Sequence, residues 1–318
     1  MISYCKRIII VFRDYSWKSI YRRFMEIIAI HLRRPKKIKN LVIDKNENQT
    51  HNVSIVAIVK NESKYIREWI EYHLIIGVEH FYIYDNESDD NLHKTILPYI
   101  ENGVVSYFYC PGQAMQNSAY NDAIARFKGS NHWMAFIDVD EFIVLNPSYA
   151  KRLPDFLKMY EKFDMLGINW CVFDSNNHDT CPTKGFVLSN YTRCHAIDDN
   201  LANRHLKCIV KPQSVRICTN PHYMILKRSK KAVDENFNTL VTPFPSHATF
   251  NKIQINHYYS KSKEEYISKL SRGRATTTSK RPFDKKAYDF TYWATKQSDI
   301  DLSSFVDILK NKIPETYR

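Results

Sequence analysis

Residues 134–145 read MAFIDVDEFIVL, with Asp138, Asp140 and Glu141 set into an otherwise apolar run. Asp138 and Asp140 are two apart, and at a strand end a period of two turns both side chains to one face. Carboxylates side by side repel, and apolar surroundings make each costly to ionise. A hard divalent cation removes both difficulties, because Mg2+ and Mn2+ bind one or two carboxylates together with substrate phosphates. The motif therefore predicts a metal–diphosphate site, against the plainer reading of an exposed acidic turn. Two more polar clusters follow strand-like runs: Lys60-Asn61-Glu62, and Asp85-Asn86-Glu87-Ser88-Asp89-Asp90. Their amides and carboxylates suit a base and a ribose, although singly such residues read as helix caps. The stretch 255–275 adds His257, Lys261, Lys269, Arg272 and Arg274. These bases would neutralise a diphosphate leaving group, and the imidazole would complete a metal shell. The bland alternative is an ordinary basic helix face.

The elements that would position these residues alternate. Runs 52–60, 79–85, 103–110 and 132–138 read as strands, and runs 64–76, 89–100 and 114–128 read as helices. Ser63 is a plausible cap for the first helix and Gly77 a plausible stop. Such alternation predicts an α/β fold, a mostly parallel sheet flanked by helices. Right-handed crossovers bring the strand C-terminal ends to one edge, where ligands bind. After residue 145 the pattern changes to a helix near 149–160, β-like stretches at 165–174, 185–193 and 204–218, and a helical C-terminus from 261. Residues 40–52 read as a polar linker.

The chain has 318 residues, 44% of them hydrophobic, enough for one large domain with appendages. It has 7 glycines and no G-x-G, which excludes the dinucleotide fingerprint and the P-loop. Its 7 cysteines are scattered with no C-x-x-C, which points to a reducing, cytoplasmic compartment rather than a disulfide framework or zinc site. No apolar run is long enough for a spanning helix. Of the net +12 charge, residues 1–40 carry most, with eleven Lys and Arg against two acids, interleaved with Trp17, Phe24 and many isoleucines. That composition suits an interfacial segment on an anionic membrane surface, peripheral at the cytoplasmic face. The alternative is a basic helix packed on the main domain. Nucleic acid is not an expected partner, since the charge does not follow the folded domain and no binding motif accompanies it.

Taken together and in order, KNESKYIREWIEYHLIIGVEHFYIYDNESDD, FIDVDEFIVL and NHYYSKSKEEYISKLSRG resemble glycosyltransferase family 92, the former domain of unknown function 23, and bacterial family-2-like glycosyltransferases. The resemblance covers roughly 53–275. It implies a GT-A type, Rossmann-like fold, a UDP-sugar donor with galactose favoured, and inversion at the anomeric carbon. By motif, Asp85 and Asn86 would lie near uracil and ribose, on the same edge as Lys60, Asn61 and Glu62. Asp138 and Asp140 would hold Mn2+ (or Mg2+), Asp140 more directly. His257 matches the histidine of an N-H-Y motif, and Lys261 and Arg272 match downstream basic positions. The family's W-x-x-F-G-S-x-x-H appears here as Trp170 to His178, with Asp174 where glycine is usual.

Inverting transfer requires a base on the acceptor side. Glu141, Asp174 and Asp179 are the candidates; Asp174 ranks first because Trp170 and Phe173 could form a sugar platform beside it. The expected activity is metal-dependent hexosyl transfer to a glycan or lipid-linked glycan, in lipopolysaccharide or other cell-surface glycan assembly. A sugar-nucleotide nucleotidyltransferase is the nearest rival. It would normally carry a Gly-rich phosphate loop where this chain has Lys60-Asn61-Glu62-Ser63. A non-catalytic glycan-binding protein at the membrane surface is the other. The expected organisation is a basic segment and linker over 1–50, a transferase domain over 51–275 and a helical extension over 276–318.

Overall fold

The computed structural model describes residues 42–43, 50–196, 201–271 and 295–315. Strand β1 (Val42–Ile43) falls inside the stretch expected to be linker and pairs antiparallel with Tyr107 and Phe108. The alternating half then runs β2 (His51–Val59), α1 (Ile66–Ile75), β3 (His80–Asp85), α2 (Leu92–Glu101), β4 (Val105–Tyr109), α3 (Gln116–Phe127) and β5 (Asn131–Phe136). β2 is buried at every position except Asn52, as a central parallel strand covered on both faces should be. Its pleat serves two cores. Val53, Ile55 and Ala57 join Trp69, Ile70 and Phe81 on one face, whereas Val56 and Ile58 join Tyr82, Tyr120 and Phe136 on the other. After α1, Gly77 takes φ +97 in the turn, and a Cβ there would stand 2.9 Å from Pro154 Cδ.

The second half comprises β6 (Glu141–Leu145), α4 (Leu153–Leu157), β7 (Met165–Val172), α5 (Val187–Asn190), β8 (Arg193–His195), β9 (Leu206–Val210), β10 (Val215–Asn220), β11 (Tyr223–Leu226), β12 (Ala232–Val233), β13 (Ile253–His257), α6 (Lys263–Ser271), β14 (Thr295–Gln297) and α7 (Ser303–Lys312). The main sheet runs β1-β4-β3-β2-β5-β9-β7-β13-β6, with β12 on β7. β9 is antiparallel to both β5 and β7, and β13 is parallel to β7. β7 and β13 therefore point the same way as β2–β5, and their C-terminal ends reach the same edge. The result is a curled, mainly parallel α/β sheet flanked by helices. β14 pairs with β8, and α7 packs on α1 through Phe305 against Tyr72 (5.1 Å) and Lys312 to Glu71 (3.1 Å).

Four local expectations change. The helix expected near 149–160 is reduced to α4 and a 3₁₀ turn over Lys158–Tyr160, with Pro154 in the first turn of α4. The β-like stretch 185–193 instead contains the one-turn helix α5, whose first backbone N–H groups, on Val187 and Leu188, donate to Glu68 of α1 at 2.8 and 3.0 Å, and only Arg193 is strand. That cap comes from more than a hundred residues away, out of reach of any local window. Ser63 does not cap α1, which starts after Tyr65 with no side-chain cap. The helix expected from 261 begins only at Lys263, because Lys261 takes a left-handed φ of 49°. Among the described residues no helix is long and apolar enough to cross a membrane.

Candidate active site

β5 ends at Phe136, and Asp138, Val139 and Asp140 form the turn into β6. Strand alternation therefore does not turn the two carboxylates to one face, as the spacing predicted; each meets its own partners. Asp138 Oδ1 accepts from Gln116 Nε2 at 2.8 Å, and Oδ2 accepts from Lys207 Nζ at 2.8 Å. The turn is closed by Asp138 N–H donating to Glu141 Oε2 (3.0 Å) and Glu141 N–H donating to the Asp138 carbonyl (3.0 Å). Asp140 Oδ2 instead accepts from Lys269 Nζ of α6 and stands 3.7 Å from His257 Nε2 at the end of β13. The Asp140 carbonyl accepts from Tyr258 N–H at 2.9 Å, so β13 clamps the turn.

The electrostatics differ between the acids. Burial pushes Asp140 up, but Lys269 and His257 reverse this and hold its carboxyl well below the usual range. Burial pushes Glu141 well above the usual range, and Lys207, 3.4 Å from Oε2, only partly opposes it. Burial pulls the Lys207 ammonium down, yet Asp138 and Glu141 more than compensate and hold it well above an ordinary lysine. His257 is drawn below its ordinary value by burial, against the pull of Asp140.

One oxygen each from Asp140 and Glu141 and one nitrogen from His257 lie within 4.8 Å of one another. Glu141 Oε1 and His257 Nδ1 are buried without a protein partner. Two carboxylates, an imidazole and two unmet lone pairs fit a divalent cation such as Mn2+ or Mg2+. The grouping differs from the expected Asp138, Asp140 and His257: Glu141 takes the third place, and Asp138 is held by Lys207 and Gln116.

The other expected residues line the same edge. Asp85 Oδ1 accepts from Ser88 N–H (2.8 Å) and Oδ2 from Tyr107 Oη (2.6 Å), while Asn86 Nδ2 donates to the Cys110 and Gly112 carbonyls at 2.8 Å each. Asn61 N–H donates to Ser88 Oγ (3.0 Å), and Asn61 Oδ1 accepts from Asp89 N–H (2.9 Å), so the first two strand-end loops brace each other. Lys60 lies at the end of β2 in the same loop, and Glu62 is 3.8 Å from Lys261, whose ammonium also lies 4.1 Å from the Tyr65 ring centroid. Asp174 is buried. Its Oδ1 accepts from Asn176 N–H at 2.7 Å, its Oδ2 is 3.6 Å from Arg193 Nε, and burial raises its carboxyl above the usual range. Phe173 is buried against Tyr258 (4.7 Å) and half-buried Trp170 lies on His257 (4.1 Å), whereas Asp179 is exposed. Arg272 and Arg274 lie outside the described residues, as do residues 1–40.

Sequence reasoning missed Lys207, Gln116, His205 and His222. Lys207 had a readable signal: a lone charge in the apolar run LKCIV of β9, the mirror of the acids in β5–β6. Gln116 had none, because only the packing of α3 under the turn brings it to Asp138.

A model of glycosyltransferase family 92 matches residues 49–295. A glycosyltransferase family 92 protein of Arabidopsis thaliana is 25% identical over 295 residues, covering 86% of this chain and 50% of that protein. One of Oryza sativa subsp. japonica is 28% identical over 236 residues, covering 72% of this chain and 36% of that protein. The chain thus spans half or less of the length of these relatives. Among solved structures, S. aureus TarS 1–349 in complex with UDP-GlcNAc aligns at a TM-score of 0.34 and 16% identity, over 51% of this chain and 45% of that one, an overlap too loose to carry chemistry across. The family match runs from the start of β2 through the acidic turn, His257 and α6, and on that ground the chain belongs to glycosyltransferase family 92.

Proposed function

We propose that this chain transfers a hexose, galactose foremost, from a UDP-sugar to a glycan hydroxyl with inversion, using Mn2+ or Mg2+ held by Asp140, Glu141 and His257. The observation that carries the reading is that buried trio at the sheet edge of a family 92 chain. When bound, the ion supplies charge stabilisation to the departing diphosphate. Lys269 already faces Asp140 and can share that duty, and the charge of Lys261 also acts on Asp140. Asp138 is oriented by Gln116 and Lys207 and is 34% exposed, which leaves it able to accept from a ribose hydroxyl. Asp85 and Asn86 spend their hydrogen bonds on the loop that would cradle the base.

The preferred base is Asp174. Burial raises its carboxyl above the usual range, and that affinity for a proton suits it to take one from an acceptor hydroxyl. Of the other candidates, Glu141 is fully buried beside Lys207 and is itself one of the ion-binding trio, and Asp179 is exposed. The acceptor we favour is a lipid-linked glycan at the cytoplasmic face of a membrane, in lipopolysaccharide or other surface glycan assembly. Support comes from the basic segment 1–40, where each base near an anionic surface contributes about 1 kcal/mol.

The decisive experiment measures UDP release from a panel of UDP-sugars with Mn2+, with and without EDTA, beside Asp140→Ala. Metal-dependent turnover of UDP-galactose, lost in the variant, is expected. Absence of both turnover and metal-dependent UDP binding would overturn the reading. Deleting residues 1–40 should release the protein from anionic liposomes; unchanged binding would break the membrane assignment.

A further inference from the structure

Beside the acidic turn lies a cluster of rings that the nucleotide and ion readings leave unused. Trp170, on β7, touches the His257 ring at 4.1 Å and so adjoins the trio. His205 stacks on Trp170 with centroids 4.9 Å apart and planes 26° apart, and His222 meets it edge-on at 5.0 Å. The two imidazoles are 5.3 Å apart, and Phe244 packs on His205 at 4.9 Å. Trp170, His205 and His222 are all half-buried, so each keeps part of its surface open.

The hydrogen bonds fix what these imidazoles offer. His205 Nδ1 lies 3.1 Å from the Ala202 carbonyl, and His222 Nδ1 lies 2.9 Å from the Leu206 carbonyl. A carbonyl only accepts, so each Nδ1 carries the proton and a neutral ring presents Nε2 as an acceptor. Burial draws both rings below the ordinary histidine value, and the Lys207 charge adds to this, which keeps them neutral. No described hydrogen bond reaches either Nε2.

Two unprotonated Nε2 atoms on rings 5.3 Å apart narrow the ligand. They repel phosphate and carboxylate oxygens. They do not make a metal site either, because the only group of three metal-ligating side chains among the described residues is Asp140, Glu141 and His257. What they suit is a neutral ligand rich in O–H donors, with C–H faces that rest on aromatic rings. We infer that His205 and His222 are specificity-determining residues of a hexose subsite that adjoins the Asp140–Glu141–His257 trio and reads sugar hydroxyls through their Nε2 atoms. The inference rests on the transferase reading above. The hexose belongs either to the donor or to the acceptor, and the test separates these.

The experiment uses the full chain with Mn2+ and two substitutions at one position. His222→Asn keeps an N–H near the Leu206 carbonyl but removes the distal acceptor. His222→Gln carries an amide oxygen out to the place of Nε2. Binding of UDP and of UDP-galactose is measured by calorimetry, and binding of methyl galactoside to the UDP-loaded protein by saturation-transfer NMR. A donor subsite predicts that His222→Asn weakens UDP-galactose at least tenfold and leaves UDP unchanged, with His222→Gln restoring most of the loss. An acceptor subsite predicts unchanged UDP-galactose affinity and loss of the methyl galactoside signal in His222→Asn alone. His205→Asn should act in the same direction. Equal weakening of UDP and UDP-galactose, or no change in either sugar ligand, overturns the subsite. An unmodified protein that binds UDP but no sugar ligand overturns the subsite alone; one that binds no UDP overturns the transferase reading with it.

Discussion

The two sides of the acidic turn teach different things about how a buried charge is kept. On the β9 side, Asp138 meets Lys207, a lysine whose side chain is 1% exposed and which also touches buried Glu141. On the α6 side, Asp140 meets Lys269, a lysine on a helix at the rim, and His257. The first cation is built into the sheet and has nowhere else to go. The second, 18% exposed, sits on one of the three groups that could hold a metal ion, and on the proposed reading it gives way to that ion. On that reading one pair is a structural anchor and the other holds the place of the ion.

The largest effects should come from the acids themselves. Asp140→Asn is expected to lower sugar transfer on the order of 100-fold or more and to abolish metal-dependent UDP binding, because a charged ligand is lost. Asp138→Asn should retain metal-dependent UDP binding; equal loss in both variants would break the comparison. Next come the lysines, read by denaturant midpoint. Lys207→Met leaves Glu141 and Asp138 without their cation and should cost about 3 kcal/mol or more. Lys269→Met should cost less than Lys207→Met, because Asp140 keeps His257 beside it, and should tighten Mn2+ binding in calorimetry, since a competing cation has gone. Weaker Mn2+ binding would show that Lys269 is part of the site's frame.

A third buried acid sharpens the contrast, because it has backbone donors and no lysine in hydrogen-bond contact. Burial pushes Glu68 up from 4.5 to about 7, although the N–H groups of Leu188 and Val187 and the charge of Lys261 pull the other way. A carboxyl raised on folding binds more protons in the native state than in the unfolded one. Its stability contribution is therefore complete below pH 4.5 and is lost as pH rises through about 7. Asp140 has the opposite sign: its contribution is present above the ordinary aspartate range and is lost on acidification. Glu68→Gln should flatten the pH dependence of unfolding between 4.5 and 7, by on the order of 1–3 kcal/mol. An unchanged profile would mean that the two N–H donors keep Glu68 ionised. The smallest effect belongs to Asp155→Ala, which removes a surface pair with Lys158 whose side chains are 53% and 72% exposed. It should leave the denaturant midpoint unchanged, and a clear shift would mean that this surface pair is more than a solvated contact.

Much of the first half was legible because its signals are local. The runs around β2, β3, β4 and β5 announce themselves by apolar composition, and the intervening helices by period and length. Parallel pairing follows from that alternation. The second half was harder for physical reasons. α5 looked like a strand because its stabilising cap is the Glu68 carboxylate of α1. β13 and β6 pair across more than a hundred residues, and β9 runs antiparallel between two parallel blocks, which no alternation rule reports. The site divides in the same way. Asp140 and His257 were read from motif and resemblance, whereas Lys207, His205 and His222 are joined to it only by the packing of β7, β9 and the β10–β11 hairpin.

By itself the sequence determined that three acids would stand where a buried strand ends, on the C-terminal edge of an α/β sheet, and that bases near residue 260 would be available to them. Those facts depend on residue type and spacing along a short stretch. Which cation each acid receives was decided only by the tertiary structure. Lys207 is 69 residues from Asp138, and Lys269 is 129 residues from Asp140. A Coulomb interaction depends on distance and on exclusion of water, and both are set when β9 is inserted beside β5 and α6 brings Lys269 to Asp140.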